Sequence, residues 1–242
     1  MPPSDLAALR GEPSYVWRAG QERRLAMIAR WAKLDGARVL EAGGGVGMYA
    51  SQISRRYDAQ VECFDIELER TLEARAEIPH ALVAAAEHLP YAADTFDTII
   101  SNEVLEHVVD DARSMREMIR VLKPGGRVVV FVPNRWYPFE THGYYRHGEY
   151  RFGNIPLINY LPDRWRNQLA PHVRAYTRRG LLRLLGGTPS RVIEHRRIFG
   201  GYDNIIARFG SAGRIVRNTL HNLEGTAFDR VGLSHFLVVE KC

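Results

Sequence analysis

Short apolar segments alternate with amphipathic ones along much of the chain. The apolar segments have the length of buried strands and lie at 37–42, 59–65, 81–85, 96–102 and 126–134. Helical periodicity covers 68–77 and 110–122, between these strands. Apolar strands that alternate with helices are typical of βαβ units around a buried parallel sheet. The pattern therefore predicts an α/β fold.

The two ends of the chain extend this pattern. Residues 14–34 are predicted to form an amphipathic helix that Ser14 caps, with one apolar face made by Leu25, Ile28, Ala29 and Ala32. Towards the C-terminus a helix is predicted at 178–187, a strand at 190–198, a helix at 203–224 and a last strand at 234–241.

The rhythm breaks between residues 135 and 172. This segment holds arginines, aromatic side chains and four prolines, without a clear period. It is too short and too rich in proline to have a core of its own, so we interpret it as an insertion into one domain. The predicted organisation is an N-terminal helical cap at 1–35 and one domain at 36–242, with 135–172 as an insertion.

Composition narrows the class of protein. The chain has 242 residues, of which 45% are hydrophobic and 25% charged, as in ordinary globular proteins. The sequence has no apolar run of about 20 residues and no secretory signal pattern at its start. Cys63 and Cys242 are its two cysteines, too few for a disulfide framework. We therefore expect a cytoplasmic location.

Positive charge is concentrated in one region. The net charge is +5, yet residues 135–183 alone hold nine arginines against three acidic residues. The rest of the chain is thus close to neutral. This distribution favours an anionic partner that binds at this one region. It disfavours nucleic acid, which would contact a broadly basic surface.

The sharpest motif is a cluster of glycines after the first strand. Glu41 ends that strand, and glycines follow at 43, 44, 45 and 47. Glycine is needed where the backbone turns tightly or where a ligand approaches the main chain. No Gly-Lys-Ser/Thr follows, which excludes a P-loop. Asp65 ends the second strand, where an acid can accept hydrogen bonds from both hydroxyls of a ribose.

Further motifs lie in or beside the later strands: Ala-Glu-His-Leu-Pro at 86–90, Phe-Asp-Thr-Ile at 96–99, Val-Leu-Glu-His-Val at 104–108 and Leu-Lys-Pro-Gly-Gly at 122–126. With the glycine loop and the acid of the second strand, these motifs make the sequence resemble the class I S-adenosylmethionine-dependent methyltransferases, in particular the branch of the ubiquinone and menaquinone biosynthetic enzymes. The resemblance covers about 36–134, 170–198 and 233–241. It implies a Rossmann-like, doubly wound, seven-stranded and mostly parallel sheet whose last strand is antiparallel.

The resemblance also implies a set of cofactor-binding residues. Glu41 and the loop of Gly43, Gly44, Gly45 and Gly47 would hold the methionine part of S-adenosylmethionine. Asp65 would hold the ribose, Ile66 would pack on the adenine, Ala86 and Glu87 would line the adenine edge, and Asn102 would lie near the methionine end. Arg18, expected on the N-terminal helix with Tyr15 and Trp17, would pair with the methionine carboxylate. Two positions depart from the family pattern, because Glu41 and Ala85 stand where aspartate is common.

Glu103, Glu106 and His107 would share one face if the segment after the fourth strand were helical. Two carboxylates and an imidazole could ligate a divalent metal, with His172 as a fourth ligand. The alternatives are that His107 acts as a base at the acceptor site, or that the motif only supports the cofactor pocket. We expect no bound metal.

The 135–172 insertion follows the fifth strand, at the edge of the sheet where an acceptor is expected. Its aromatic side chains and arginines would suit a large, partly apolar acceptor that carries an anion. The alternatives are contact with a membrane surface, stacking on RNA, and a dimer interface or packed lid. His142 and His147 in this segment could serve as bases.

These observations predict an enzyme that transfers a methyl group from S-adenosylmethionine to a small-molecule or lipid-like acceptor, at oxygen rather than carbon. The candidate catalytic residues are His107, His142 and His172. The alternatives are an RNA methyltransferase and a non-catalytic binding module with the cofactor fold. The acceptor and the oligomeric state stay open.

Overall fold

The computed structural model describes residues 15–242, whose main feature is a seven-stranded sheet. Its strands are β1 (Ala37–Ala42), β2 (Ala59–Asp65), β3 (Ala81–Val83), β4 (Phe96–Asn102), β5 (Leu122–Pro133), β10 (Ser190–Ile198) and β11 (Ser234–Lys241). The helices are α1 (Ala19–Trp31), α2 (Met48–Arg56), α3 (Leu68–Ala74), α4 (Asp111–Val121), α5 (Asp163–Leu169), α6 (Arg178–Arg183) and α7 (Asp203–Asn222). None of the described helices is long and apolar enough to span a membrane.

The strands lie in the order β10-β11-β5-β4-β1-β2-β3. The pairs from β5 to β3 are parallel, whereas β11 runs antiparallel to both β5 and β10. The α/β, Rossmann-like fold and the antiparallel last strand are therefore confirmed. Strand order reverses between β1 and β4, so the carboxyl ends of these two strands flank the crevice where such sheets bind ligands.

Apolar side chains cover both faces of the sheet, because successive residues of a strand point to opposite faces. Leu40 and Ile99 belong to the core on one face, which α4 and α6 complete. Val39 and Ile100 belong to the core on the other face, where Leu25 and Ile28 of α1 pack. Both α1 side chains are at most 1% exposed, as the predicted apolar face requires.

Several predicted boundaries need correction. The N-terminal helix begins at Ala19, so Tyr15, Trp17 and Arg18 precede it, and Ser14 lies outside the described residues. Residue 18 is the N-cap, and its backbone N–H donates to the side chain of Gln21. The helices predicted at 68–77 and 178–187 end earlier, at Ala74 and Arg183. The helix over 203–222 is interrupted at Gly210, whose φ of 54° is not helical.

The insertion after β5 has a framework of its own. It contains two short antiparallel pairs, β6 (Phe139–Glu140) with β9 (Ile155–Pro156) and β7 (Tyr144–Arg146) with β8 (Glu149–Arg151). Helix α5 follows. Regular structure here depends on contacts within the insertion, which explains why no periodic pattern marks it in the sequence.

Candidate functional site

The glycine loop joins β1 to α2 through three residues in left-handed conformations. Gly43 has a φ of +63°, and a Cβ atom there would lie only 2.6 Å from Cγ2 of Val104. Gly45 has a φ of +56°, and its N–H donates to Oδ2 of Asp65 at 2.9 Å. Gly47, also left-handed, is the N-cap of α2. Glycine is thus required here by the packing of the loop as well as by its shape.

Asp65 ties the glycine loop to the end of β2. Its side chain is buried, and it accepts N–H groups from Gly45 and from Glu67, each at 2.9 Å. A carboxylate has about four acceptor positions, so two backbone donors leave capacity for the hydroxyls of a ribose. Asp65, the residue predicted to bind the ribose, therefore also orders the glycine loop.

Glu41, which the resemblance assigns to the methionine part of the cofactor, is buried. It is only 4% exposed, and its Oε2 accepts the N–H of Ala50 at 2.7 Å. Burial raises the pKa of Glu41 to about 8. Its visible role is to hold the first turn of α2 under the glycine loop, which positions the loop from below.

Exposed apolar side chains follow the ends of β2 and β3. Ile66, directly after the buried end of β2, is 52% exposed, and Val83, the last residue of β3, is 48% exposed. Ala86 is buried, whereas Glu87 accepts the N–H groups of Val109 and Asp110 and so braces the entry to α4. The first two residues offer an apolar surface of the kind that an adenine ring would cover.

A cavity of about 280 Å³ lies between the start of α1, the first turn of α2 and the end of β4. Its lining includes Arg18, Arg24, Tyr49 and Asn102. Tyr49 is 4% exposed, and its hydroxyl has no hydrogen-bond partner among the described residues. A buried hydroxyl without a partner is costly unless a ligand completes it. These residues, together with the apolar surface and Asp65, have the mixed polar and apolar character that binding S-adenosylmethionine requires.

Arg24 is a residue of this cavity that the sequence analysis missed. Its guanidinium donates to Oδ1 of Asn102 at 2.6 Å, to Oε1 of Glu103 at 2.7 Å and to the hydroxyl of Ser234. It also lies over the ring of Phe131, 4.8 Å from the ring centre. In the sequence, only its position beside Leu25, on the predicted apolar face of the N-terminal helix, could have indicated that Arg24 points into the protein.

The segment from Glu103 to His107 is not helical, which corrects the expected geometry of the Glu-Glu-His motif. Glu103 has a φ of 56°, and residues 105–107 form a turn. Glu106 is only 1% exposed, and neither of its side-chain oxygens has a hydrogen-bond partner among the described residues. Burial, together with the negative charge of Glu103, raises the pKa of Glu106 well above its usual range.

Tertiary folding brings His142 of the insertion to this turn. Nε2 of His142 lies 4.0 Å from Oε1 of Glu106, and ligand atoms of Glu106, His107 and His142 all lie within 4.8 Å of one another. The two imidazole rings meet edge to face, with their centres 5.4 Å apart. We call these three residues the Glu-His-His cluster. Burial and the neighbouring His142 lower the pKa of His107 to about 4.

The partners of the two histidines determine their tautomers. Nδ1 of His142 lies 3.0 Å from Oε1 of Glu140, and Nδ1 of His107 lies 3.3 Å from the carbonyl oxygen of His172. A carbonyl or carboxylate oxygen only accepts, so each Nδ1 carries a proton. In this tautomer Nε2 is the ring nitrogen of each histidine that can accept a proton or bind a ligand.

His172, the third candidate catalytic residue, lies behind the cluster. It is 7% exposed, its Nε2 donates to the carbonyl oxygen of His142 at 2.9 Å, and the rings of Tyr145 and Tyr150 lie against it. Burial lowers its pKa. In this position His172 orients both other histidines through backbone carbonyls.

The arginines of the insertion divide into two groups. Arg166 is 2% exposed and forms an ion pair with the equally buried Glu140 at 2.8 Å. Arg135 pairs with Asp163. Arg146 and Arg151, on the β7–β8 hairpin, are exposed. Only part of the positive charge is therefore available to a partner.

The sequence matches a known family and several curated proteins. Residues 40–130 match a family described as a methyltransferase domain. The chain is 34% identical over 120 residues to methyltransferase GfsG of Streptomyces halstedii, covering 46% of this chain and 43% of that protein. It is 32% identical over 118 residues to ubiquinone/menaquinone biosynthesis C-methyltransferase UbiE of Geobacter sulfurreducens, covering 45% of each. A ubiquinone biosynthesis O-methyltransferase of Aeromonas salmonicida is 33% identical over 109 residues, 42% of this chain and 45% of that protein. The chain thus spans less than half the length of these relatives.

Solved structures extend the likeness to most of the chain. An S-adenosylmethionine-dependent methyltransferase from Mesorhizobium loti superposes with a TM-score of 0.63, covering 92% of this chain and 98% of the other at 18% identity. The [4+2]-cyclase SpnF superposes with a TM-score of 0.61 over 95% of this chain and 84% of its own, at 19% identity. At these identities the superpositions show a shared fold and leave the reaction open.

Proposed function

We propose that the chain is a class I S-adenosylmethionine-dependent methyltransferase and that it methylates a hydroxyl oxygen of a small-molecule or lipid-like acceptor. Curated relatives include both an O-methyltransferase and C-methyltransferases, so the choice of oxygen is our inference from the site. The observation that carries it is the Glu-His-His cluster, where the turn that follows β4 meets His142 of the insertion.

S-adenosylmethionine supplies an electrophilic methyl group on a sulfonium sulfur. We infer that Asp65 and the glycine loop bind the nucleoside, while Tyr49, Arg24 and Asn102 surround the amino-acid end. Asn102 ends β4, and the turn that holds Glu106 and His107 begins three residues later, so the same strand end would present the acceptor to the methyl group. Holding both reactants in line is the main catalytic contribution that such a transfer needs.

A hydroxyl acceptor must lose its proton as its oxygen bonds to the methyl carbon. Nε2 of His142 is suited to accept that proton, because Oε1 of Glu140 accepts the hydrogen bond of Nδ1 and so directs Nε2 away from Glu140. His107 would contact the same acceptor, and His172 would position both rings. The β7–β8 hairpin would cover the acceptor, with Arg146 and Arg151 near an anionic group.

The test uses the full chain with S-adenosylmethionine whose methyl group carries carbon-13. Two probes are offered, 3,4-dihydroxybenzoate as an oxygen acceptor and naphthohydroquinone as a further acceptor with a free ring carbon. Carbon-13 NMR separates a methoxy product from a methyl group on carbon. We expect methoxy products, and we expect His142→Asn to lower kcat about 10²–10⁴-fold, the range for loss of a general base.

His147→Asn is the matched control, since His147 is an exposed histidine of the same insertion with a φ of 52°, which asparagine tolerates. It should leave kcat unchanged. Methylation on carbon alone would contradict the choice of oxygen. Binding of S-adenosylmethionine without turnover of either probe would favour a non-catalytic binding module, and turnover of RNA in their place would favour an RNA methyltransferase.

A further inference from the structure

Helix α7 is exposed along nearly its whole length. Of its residues, all of which the structure describes, only Gly213 is buried. The helix is broken at Gly210, and its second segment crosses the first so closely that a Cβ atom at Gly213 would lie 2.7 Å from the carbonyl oxygen of Ile205. The two segments of α7 thus pack on each other and leave most of their side chains unburied.

Large apolar side chains lie on this exposed surface. Phe209 is 57% exposed and Ile215 is 67% exposed, and Ile205 and Val216 are exposed as well. Phe228, in the 3-10 turn at Ala227–Val231, is 67% exposed. Single apolar residues on a surface need no explanation, but a group of them on successive segments of the chain indicates an interaction surface.

The free charges of these segments are positive. Arg208 and Arg214 on α7 and Arg230 in the 3-10 turn are exposed, and none of them forms an ion pair within the part of the chain that the structure describes. Glu224 and the buried Asp229, which lie between them in sequence or next to them, are each held in an ion pair with another arginine. The exposed apolar side chains are therefore interspersed with uncompensated positive charge.

We propose that α7 and the 3-10 turn that follows it form a docking surface for an anionic lipid bilayer. Exposed apolar side chains interspersed with arginines are typical of helices that lie in the headgroup region of a membrane, where the positive charge attracts anionic lipids. The same charge disfavours a second copy of the chain as the partner, because two such surfaces would repel each other. This docking surface lies outside the 135–172 insertion.

Helix α7 begins at the candidate cofactor cavity. Asp203 lines that cavity, and Gly201 lies so close to α1 that a Cβ atom at Gly201 would be 2.8 Å from Cα of Gly20. Docking through α7 would therefore bring the cofactor cavity near the lipid surface. Delivery of an acceptor from the bilayer is a consequence that rests on the proposed function, because it requires a lipid-like acceptor.

The test measures binding of the full chain to vesicles and needs no acceptor. Sucrose-loaded vesicles of phosphatidylcholine, with or without phosphatidylglycerol, are sedimented with the protein to give the partition coefficient. We expect binding to the anionic vesicles that weakens as salt rises, and little binding to phosphatidylcholine alone. Arg208→Gln combined with Arg214→Gln should lower the partition coefficient about 30-fold, since each arginine near an anionic surface contributes about 1 kcal/mol. Phe209→Ser combined with Ile215→Ser should lower it about tenfold or more and leave its dependence on salt unchanged.

Arg116→Gln combined with Arg179→Gln is the matched control, because it removes the same charge from exposed positions on α4 and α6. This variant should bind anionic vesicles nearly as the wild type does. Circular dichroism shows whether each variant keeps its fold, and the arginine pair of α7 gives a second measurement if the serine variant does not.

Three results would overturn the proposal. The first is that the wild type does not bind anionic vesicles, and the second is that it binds no better than the variant without the two α7 arginines. The third is a dimer that the serine substitutions dissociate in sedimentation velocity, since α7 would then be an interface between copies. Vesicle binding without methoxy formation would reject the proposed function while leaving this surface standing, and methoxy formation without vesicle binding would do the opposite.

Discussion

Glu140 and His142 stand two residues apart, and Oε1 of Glu140 lies 3.0 Å from Nδ1 of His142. The other carboxylate oxygen of Glu140 accepts a hydrogen bond from the buried Arg166. Burial by itself would raise the pKa of Glu140, but the hydrogen bond of His142 and the charge of Arg166 lower it to about 2. An ionised carboxylate is therefore held in place to orient the imidazole at the candidate active site.

The Arg166–Glu140 pair should be essential to the stability of the insertion. Arg166→Met would leave a buried carboxylate without its strongest partner, and we expect a loss of about 3–5 kcal/mol in the free energy of unfolding. Urea denaturation measures this loss. Arg164→Met, at an exposed position of the same helix, is the control and should change the unfolding free energy by less than about 0.5 kcal/mol. A loss below about 1 kcal/mol for the buried arginine would show that the pair is dispensable.

Asp65→Ala should weaken the binding of S-adenosylmethionine by about 1.5–3 kcal/mol, the scale for hydrogen bonds to a charged group. The loss combines the ribose contacts that we propose with looser anchoring of Gly45, whose N–H now donates to Asp65. Isothermal titration calorimetry measures the affinity, and Glu69→Gln, at an exposed position of α3, is the control. Unchanged affinity in a folded Asp65→Ala protein would remove this residue from the cofactor site.

The raised pKa of Glu41 predicts how the free energy of unfolding depends on pH. Its pKa is raised to about 8 in the folded protein by burial, against an ordinary value of 4.5. The folded state therefore retains a proton that the unfolded state releases, and this group makes stability fall as pH rises from about 4.5 to 8, with no further change above. Glu41→Gln, which mimics the neutral acid, should remove this part of the slope. Urea midpoints at pH 5, 6, 7, 8 and 9 measure it, and parallel curves for both proteins would contradict the raised pKa.

The hairpin arginines should act on the acceptor alone. Arg146→Gln combined with Arg151→Gln is expected to raise the KM of an anionic acceptor while leaving the affinity for S-adenosylmethionine unchanged. Both side chains are exposed, so each lost contact is worth about 0.2–1 kcal/mol and the effect should shrink as salt rises.

Two outcomes would indicate another role for this hairpin. Arg208→Gln combined with Arg214→Gln removes two exposed arginines of α7 and is the control for the effect of net charge on KM. Loss of binding to anionic vesicles with an unchanged KM would indicate a membrane contact, and a changed sedimentation coefficient would indicate a dimer interface. Either result would count against a covering role at the acceptor.

Local sequence pattern was sufficient to locate the strands of the sheet, although β3 ends earlier than predicted, at Val83, and β5 begins earlier, at Leu122. β1, β2, β4, β10 and β11 have the predicted bounds, because a buried strand needs a continuous or alternating apolar run that few other structures tolerate. The relation between the glycine loop and Asp65 was also predictable. Parallel strands place their carboxyl ends at one edge of the sheet, so residues that end β1 and β2 must meet there.

Only the tertiary structure shows which polar side chains meet beyond the end of β4. Glu106 and His107 lie in a turn and not in a helix, and the histidine that completes their cluster is His142, where the sequence suggested His172. Arg24 likewise reaches Asn102 and Glu103 from a distant helix. Periodicity reports only which face of an element is buried. Contacts between polar side chains from different elements depend on how loops close over the core, and no local pattern of apolar and polar residues encodes that.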